Sequence, residues 1–391
     1  MAGVSAHTIG IIGGGQLARM MHQAAIGLGV RTRLLATSPE ESAAQVVGDV
    51  VLGSHLDPDA VLAFAEGCEA VTFDHEHVPT ALVERLEREG HAAVRPGSAA
   101  QVHAQDKVVM RRFMDTHGFP NPTWQVCASP EELVEAAERI GWPLIGKASR
   151  GGYDGKGVWR LDGPEDAQTP FEVRGSLADG DQPVEVLVEE FVDFTRELSA
   201  IVVRSPSGQA VAYPVSESVQ RDGICVETVT PAPGLTEEGQ SRIQQLALRI
   251  AGELGVVGVL AVELMESADG RVVVNELAMR PHNTGHWTID GAATSQFENH
   301  LRAVLDLPLG RPDLTAPSVV MANVLGGSRE DLVDGLHHCL AHDPGLRVEL
   351  YGKDVRLGRK VGHVTCLGED VDEVRRRARH AAAYLMGDHD A

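Results

Sequence analysis

The sequence predicts an α/β chain, α+β overall: a parallel-sheet unit first, a hairpin-rich centre next and a mixed α+β unit last. Three observations carry this. Short apolar runs alternate with helix-period stretches over about the first 100 residues. Two apolar runs then flank Asp269-Gly270. After Pro308, Pro312 and Pro317, two helical stretches near 328–342 and 370–386 enclose further strands.

Residues 8–14 read as a buried strand entering a glycine turn, and 16–28 as a helix with Leu17, Met20, Met21 and Ala24 at helical spacing. Thr32–Ala36, Val71–Phe73 and Ala92–Arg95 read as further strands. Pro96-Gly97 marks a boundary, and one helix runs from about Ser98 to His117. Leu254–Leu264 reads as a buried strand or two. No apolar run reaches the ~18 residues of a membrane helix. The expected domains are 1–104, 105–305 and 306–391.

The hydrophobic fraction, 43%, suffices for ordinary cores, and with 4% aromatics those cores must be aliphatic. The net charge of −22 argues against nucleic acid and anionic membranes as partners. A phosphorylated substrate would need a local basic site. Five scattered cysteines without C-x-x-C, and no signal-peptide pattern at the start, fit a reduced cytoplasmic protein.

Gly13-Gly14-Gly15-Gln16-Leu17-Ala18 matches G-x-G-x-x-A after a strand. A dinucleotide site also wants an acidic residue ending the second strand, but Leu34–Pro39 has none. A tight turn, or a helix N-terminus facing some other phosphate, fits better.

If Asp269-Gly270 is the centre of a two-residue turn, with φ > 0 at both positions, Glu263 lies opposite Glu276. Like charges directly opposed are destabilising. A bound Mg²⁺, a shared proton, or exposure of both groups at a sheet edge would explain them. Strict alternation puts Asn275 on the other face, so its use at the same place requires a bend or a bulge.

Lys147 ends a strand, and four glycines follow within ten residues. This is not a Walker loop. It reads as a flap able to fold over phosphates, or as a plain surface loop, with Lys147 and Lys156 as candidate cations. Glu189–Val192 and Glu197 form an acidic strand end suited to adenine and ribose, though most such ends are merely solvated. His282 and His286 are spaced like a zinc pair, but Pro281 and Gly285 argue for a loop. Arg280 and Asn283 suit an anion or a carbonyl oxygen. Tyr351–His363 concentrates four Lys and Arg residues and a histidine, the local phosphate site required above or a solvated strand.

In order and spacing, Lys147, Gly152–Gly157, Glu189–Val192, Glu197, Glu263 and Asn275-Glu276 resemble the ATP-grasp pattern. GIIGGGQLARMM, GGYDGKG, NELAMRPHNTGHWTIDGAATSQFENHLRAVLDLPLG and YGKDVRLGRKVGH resemble the N5-carboxyaminoimidazole ribonucleotide synthase family over essentially the whole chain. The resemblance implies an ATP-grasp fold with a Rossmann-like N-terminal domain, a central ATP-grasp region and a C-terminal α+β domain completing the site. It implies a cytoplasmic homodimer acting as an ATP-dependent carbon–nitrogen ligase of purine biosynthesis. The ligase carboxylates 5-aminoimidazole ribonucleotide with bicarbonate and ATP, through carboxyphosphate.

By motif position the resemblance implies ATP contacts from Lys107, Lys147, Gly152, Tyr153, Asp154, Gly155, Lys156, Gly157, Val158, Glu189, Glu190, Phe191, Val192, Glu197, Gln220, Asn275 and Glu276. Magnesium falls to Glu263, Glu276 and Asn275. The ribonucleotide and bicarbonate fall to Gln16, Glu76, Asp154, Arg280, His282, Asn283, Lys353, Arg359 and Lys360. Asp154, Lys156 and Arg280 carry the catalytic roles. Asp74, Gln220 and Lys107 depart from the residues common at those positions, which are Glu, His and Arg. Rival readings are a biotin-dependent carboxylase subunit or formate-using ligase, a non-catalytic nucleotide-binding regulator, and an NAD oxidoreductase.

Overall fold

Ile9, Ile11 and Ile12 have no solvent exposure, as expected of a strand covered on both faces. They lie on the first of five parallel strands: β1 (Thr8–Ile12), β2 (Arg31–Ala36), β3 (Asp49–Leu52), β4 (Ala70–Phe73) and β5 (Ala93–Val94). Their order is β3-β2-β1-β4-β5. A computed structural model describes residues 7–151, 157–173 and 184–388. The helix after β1, Gln16–Leu28, buries Leu17, Ala18, Met20, Met21 and Ala25 and stops at Gly29 in the left-handed conformation.

The single helix expected over Ser98–His117 is two helices, Ser98–Gln105 and Lys107–Thr116. Asp106 is the reason. Its backbone is extended, and its carboxylate caps the second helix through the N–H groups of Val108 (2.9 Å) and Val109 (3.1 Å).

A second sheet holds β6 (Trp124–Cys127), β7 (Leu144–Ala148), β8 (Val158–Leu161) and β9 (Val186–Glu190), antiparallel in the order β6-β9-β7-β8. The third sheet holds β10 (Phe194–Arg204), β11 (Ala210–Ala212), β12 (Ser216–Arg221), β13 (Ile224–Thr230), β14 (Gly258–Ser267), β15 (Val272–Ala278), β16 (Ser318–Leu325), β17 (Arg347–Leu350) and β18 (Lys360–Gly368). Its order is β15-β14-β10-β12-β13-β16-β18-β17, with β11 on β10. Residues past 306 therefore extend the central sheet, because β16 pairs with β13. The apolar run Leu254–Leu264 is divided between a helix exit and β14.

Alternation along β10, β14 and β15 separates two faces. Leu198, Ala200, Val202, Leu260, Val262, Leu264, Val274 and Leu277 share a core with Ile243, Ala247, Ile250 and Ala251 of helix Glu237–Glu253. Each fully buried aliphatic contributes roughly 1.5–3 kcal/mol. The residues between them face the other way.

The N-terminal sheet is tied to the centre through His300, on helix Gln296–Val304. Its Nδ1 accepts the Val259 N–H (3.1 Å). Burial lowers this ring to about 3, so it is neutral, carries its proton on Nε2 and donates to Thr72 Oγ1 (2.7 Å). Gly258 lies against the ring at φ +105°. Ser42 donates to the Tyr351 carbonyl (2.5 Å), and Gln45 to that of Gly352 (2.7 Å).

Candidate active site

The acidic groups come from the face of β10, β14 and β15 left free by the core. Glu263 pairs with Glu276 across β14–β15, as the hairpin arithmetic required, but two departures cancel to give that result. The turn is one residue longer than expected. Ser267 and Arg271 close it (Ser267 N–H to Arg271 O, 2.9 Å), and within it Gly270 alone has positive φ. A bulge at Asn275 then shifts the register back between Leu264↔Val274 and Glu263↔Glu276. The bulge also turns Asn275 so that its Oδ1 accepts from Lys147 Nζ (3.1 Å).

Glu263 sits beside Ser199 in the β10 pairing, and Glu197 lies two residues away on the same face. Burial first, then Glu276 and Glu197, push Glu263 up to about 8. Glu197 is raised by burial and by Glu276, against a hydrogen bond from Gln220. Gln220 stands where the β12–β13 register shifts. Burial works to raise Glu276 as well, but Lys107 (3.4 Å) and Lys147 outweigh it and hold it below the ordinary range. The Glu276 side chain keeps 42% exposure, so solvent reaches it.

Lys147 is 6% exposed and lies 3.0 Å from Glu189. Glu189 in turn takes Arg111 through two bonds, Nε–Oε1 at 2.6 Å and Nη2–Oε2 at 3.1 Å. Burial would raise Glu189, but Lys147 and Arg111 hold it down to about 2. The Glu189 carboxylate therefore fixes Lys147, instead of facing a ribose. Glu190 pairs with Arg271 and accepts the Thr123 N–H (2.9 Å). Phe191 lies under the Arg160 guanidinium (4.6 Å), and Val192 packs with Met265 and Val273. Gly157, at φ +75°, precedes exposed Val158. Gly152, Tyr153, Asp154, Gly155 and Lys156 lie outside the described residues.

Arg280 donates Nε–H to Glu76 (2.8 Å), joining the centre to the N-terminal unit. His282 is lowered to about 3 by burial, Arg280 and Lys360; its neutral ring stands 3.5 Å from Glu263. His286, spaced like a zinc partner of His282 in the sequence, is fully buried against His363, with ring centroids 5.0 Å apart, in keeping with the reading against zinc. Asn283 and Asn323 exchange amide hydrogen bonds of 2.9 and 2.8 Å. Lys353 donates to Gln16, and is lowered to about 8 by burial and by Arg359. Arg359 donates to the Asp354 carbonyl (3.3 Å). Lys360 is near enough to Glu263 and His282 to shift both.

The glycine-rich turn does not offer these amides to a phosphate. Asp74 accepts the N–H groups of Gly15 (2.5 Å) and Ala18 (3.0 Å), and the Glu41 carboxylate covers Gly14. With Asp74 on two of the turn's amides and a second carboxylate against Gly14, the surroundings repel a pyrophosphate and argue against the dinucleotide reading.

Sequence reasoning missed Arg111, Ser199, Gln296 and Asn323. Arg111 had a signal: it shares the buried stripe of Val108, Met110 and Met114, where a cation needs a partner. Gln296 accepts the His282 N–H (2.9 Å) and donates to the His282 carbonyl (2.7 Å), fixing the loop.

Comparison with known proteins agrees with this arrangement. Residues 6–105 match the ribonucleotide synthetase preATP-grasp domain, 112–297 the ATP-grasp domain, and 319–377 the phosphoribosylaminoimidazole carboxylase C-terminal domain. N5-carboxyaminoimidazole ribonucleotide synthase of Mycobacterium tuberculosis strain H37Rv is 53% identical, over 96% of this chain and 87% of that one. The ADP complex of an N5-carboxyaminoimidazole ribonucleotide synthetase superposes with a TM-score of 0.88 at 34% identity, covering 98% of this chain and 97% of that one. The Aspergillus clavatus enzyme in complex with ADP and 5-aminoimidazole ribonucleotide gives 0.86 at 29% identity, covering 97% and 99%. With Glu197, Glu263 and Glu276 grouped beside the buried Lys147 and within electrostatic reach of Arg280 and Lys360, the chain belongs to the N5-carboxyaminoimidazole ribonucleotide synthase family of ATP-grasp enzymes.

Proposed function

We propose that this chain carboxylates 5-aminoimidazole ribonucleotide to N5-carboxyaminoimidazole ribonucleotide with ATP and bicarbonate, as a carbon–nitrogen ligase of purine biosynthesis. The observation that carries the reading is Glu263 opposed to Glu276, with Lys107 and Lys147 on one side and Arg280 and Lys360 on the other. Lysines beside the acids suit a nucleoside triphosphate. The basic groups beyond them suit a phosphorylated, anionic co-substrate in a chain of charge −22.

A bicarbonate oxygen attacks the ATP γ-phosphorus and ADP leaves, giving carboxyphosphate. The exocyclic amine then attacks the carboxyl carbon, or the CO₂ released from it, and phosphate departs. Lys147, held by Glu189 and Asn275, and Lys107 offset charge on the phosphates. Arg280, oriented by Glu76, positions bicarbonate. Neutral His282 and Asn283 line the ribonucleotide side, with Gln16, Lys353, Arg359 and Lys360. The resemblance assigns Asp154 to orienting the amine and Lys156 to offsetting charge on the transferring group.

The donors fit Mg²⁺: two opposed carboxylates and the Asn275 amide oxygen, with Glu263 driven up by burial and then by its acidic neighbours, a repulsion a divalent cation relieves. Bound by Glu263, Glu276 and Asn275, it would supply charge neutralisation for the phosphates.

Among the described residues no helix is long and apolar enough to cross a membrane. All five cysteines are free and buried, which supports a cytoplasmic setting. A homodimer rests on the resemblance. The deciding experiment is coupled ADP release with and without 5-aminoimidazole ribonucleotide plus bicarbonate. Release that needs both supports the proposal; release driven by formate or biotin overturns it.

A further inference from the structure

On the opposite side of the sheet from the acidic groups, two helices bring three imidazoles together. Asn323 of β16 points toward Asn283, while its neighbours Ala322 and Val324 face helix Val371–Met386. On the outer side of that contact, His338 and His342 lie one turn apart on helix Val333–His342, and His380 comes from helix Val371–Met386. One ring nitrogen from each lies within 4.8 Å of the others. None of the three serves the carboxylation site.

The geometry points to a transition-metal site of His338, His342 and His380, taking a borderline divalent ion such as Zn²⁺, Co²⁺ or Ni²⁺. His338 Nε2 and His380 Nε2 are 3.4 Å apart. Two nitrogens each 2.0–2.1 Å from a tetrahedral ion stand about 3.3–3.4 Å apart. The 338/342 spacing puts two rings on one helical face. The planes of His338 and His342 differ by 10° with centroids 5.7 Å apart, so convergence on one ion requires one ring to turn; Tyr384 stacks on His338 (3.8 Å, 14°) and holds that ring, leaving exposed His342 to turn. His342 is exposed and the other two are half-buried, so an ion has a route in and solvent can complete its coordination. Three imidazoles without a carboxylate ligand disfavour Mg²⁺. Positive charge nearby is partly offset: Arg375 (2.7 Å) and Arg379 (2.6 Å) share Glu227, and of the other charged groups bordering the same groove Arg376 is matched by Asp372. The bound ion would clamp the terminal helix to helix Val333–His342.

The test uses the full chain without a histidine tag, in excess Mg²⁺ so that the carboxylate site does not compete. Equilibrium dialysis with Zn²⁺, and the visible spectrum of added Co²⁺, are measured for wild type, His342→Ala and His380→Gln. One Zn²⁺ per chain, tetrahedral Co²⁺ bands, and affinity falling more than about tenfold in each variant are expected. Zn²⁺ should also raise the wild-type melting temperature but not that of His342→Ala, and His342→Ala should retain normal ADP release. No stoichiometric Zn²⁺ in the wild type overturns the proposal. So does undiminished binding by both variants.

Discussion

Arg111 and Glu189 meet through two hydrogen bonds, and their side chains are 0% and 3% exposed. Arg111 also donates to the carbonyls of Val274 (2.7 Å) and Asn275 (2.9 Å), so one guanidinium joins β9 to the bulged strand β15.

Glu189→Gln should therefore act on both stability and nucleotide binding. Removing one partner of a buried pair costs about 3–5 kcal/mol, because the remaining charge is uncompensated. A thermal melt should show the loss, and KM for ATP should rise as Lys147 loses its anchor. The pair also sets an acid limit. Glu189 stands at about 2 against an ordinary 4.5, so its stabilisation is present above 4.5 and is lost as pH falls toward 2.

Glu276→Gln should lower turnover by orders of magnitude at saturating ATP. The change removes a carboxylate charge with little change of shape. The kcat measured by coupled ADP release checks it, and near-normal turnover would contradict a metal role for Glu276.

Glu263, at about 8, is mostly protonated at pH 7 in the metal-free protein. Mg²⁺ binding should then release close to one proton per ion. Calorimetric titration in two buffers of different ionisation enthalpy measures it, and Glu263→Gln should abolish the difference. The sign for stability follows: a raised acid stabilises fully below 4.5, and the effect is lost as pH rises through about 8. Metal-free protein should thus lose this contribution between those limits, and Mg²⁺ should reduce the loss.

How much of this was legible depends on the kind of signal. The Asp269-Gly270 turn and its apolar flanks made the Glu263–Glu276 opposition readable. The three-residue loop did not show, and the Asn275 bulge showed only as one way to bring Asn275 to the same face, since a register slip on each side leaves the sequence pattern unchanged. The break at Asp106 was readable in principle, because Asp before Lys-Val-Val is an N-cap pattern. Helical periodicity on both sides concealed it. The tie between Arg111 and Glu189 spans 78 positions and depends on tertiary packing. The continuity of the sheet past residue 306 was hidden for the same reason, because strand order is not written in local sequence.

Lys353, lowered to about 8 from an ordinary 10.5, should lose its charge in the upper physiological range. If it faces the ribonucleotide phosphate, KM for 5-aminoimidazole ribonucleotide should climb above pH 8. Lys353→Arg should flatten that climb, since guanidinium keeps its proton. A KM–pH profile for both proteins decides it.

Gly258→Ala should destabilise the junction between β14 and the N-terminal sheet. A Cβ there would lie 2.8 Å from His300 Cε1, on a backbone at φ +105°. Strain of this kind costs about 1–3 kcal/mol. Thermal unfolding should show a lower midpoint.

Because β16 completes β13, the segment past residue 306 is not an appendage that can be trimmed away. A fragment ending near residue 306 would leave Glu227–Thr230 with an open row of backbone donors and acceptors and would uncover the apolar side chain of Val229. Bare rims of that sort recruit other chains, so such a fragment should clump rather than persist as a smaller folded body.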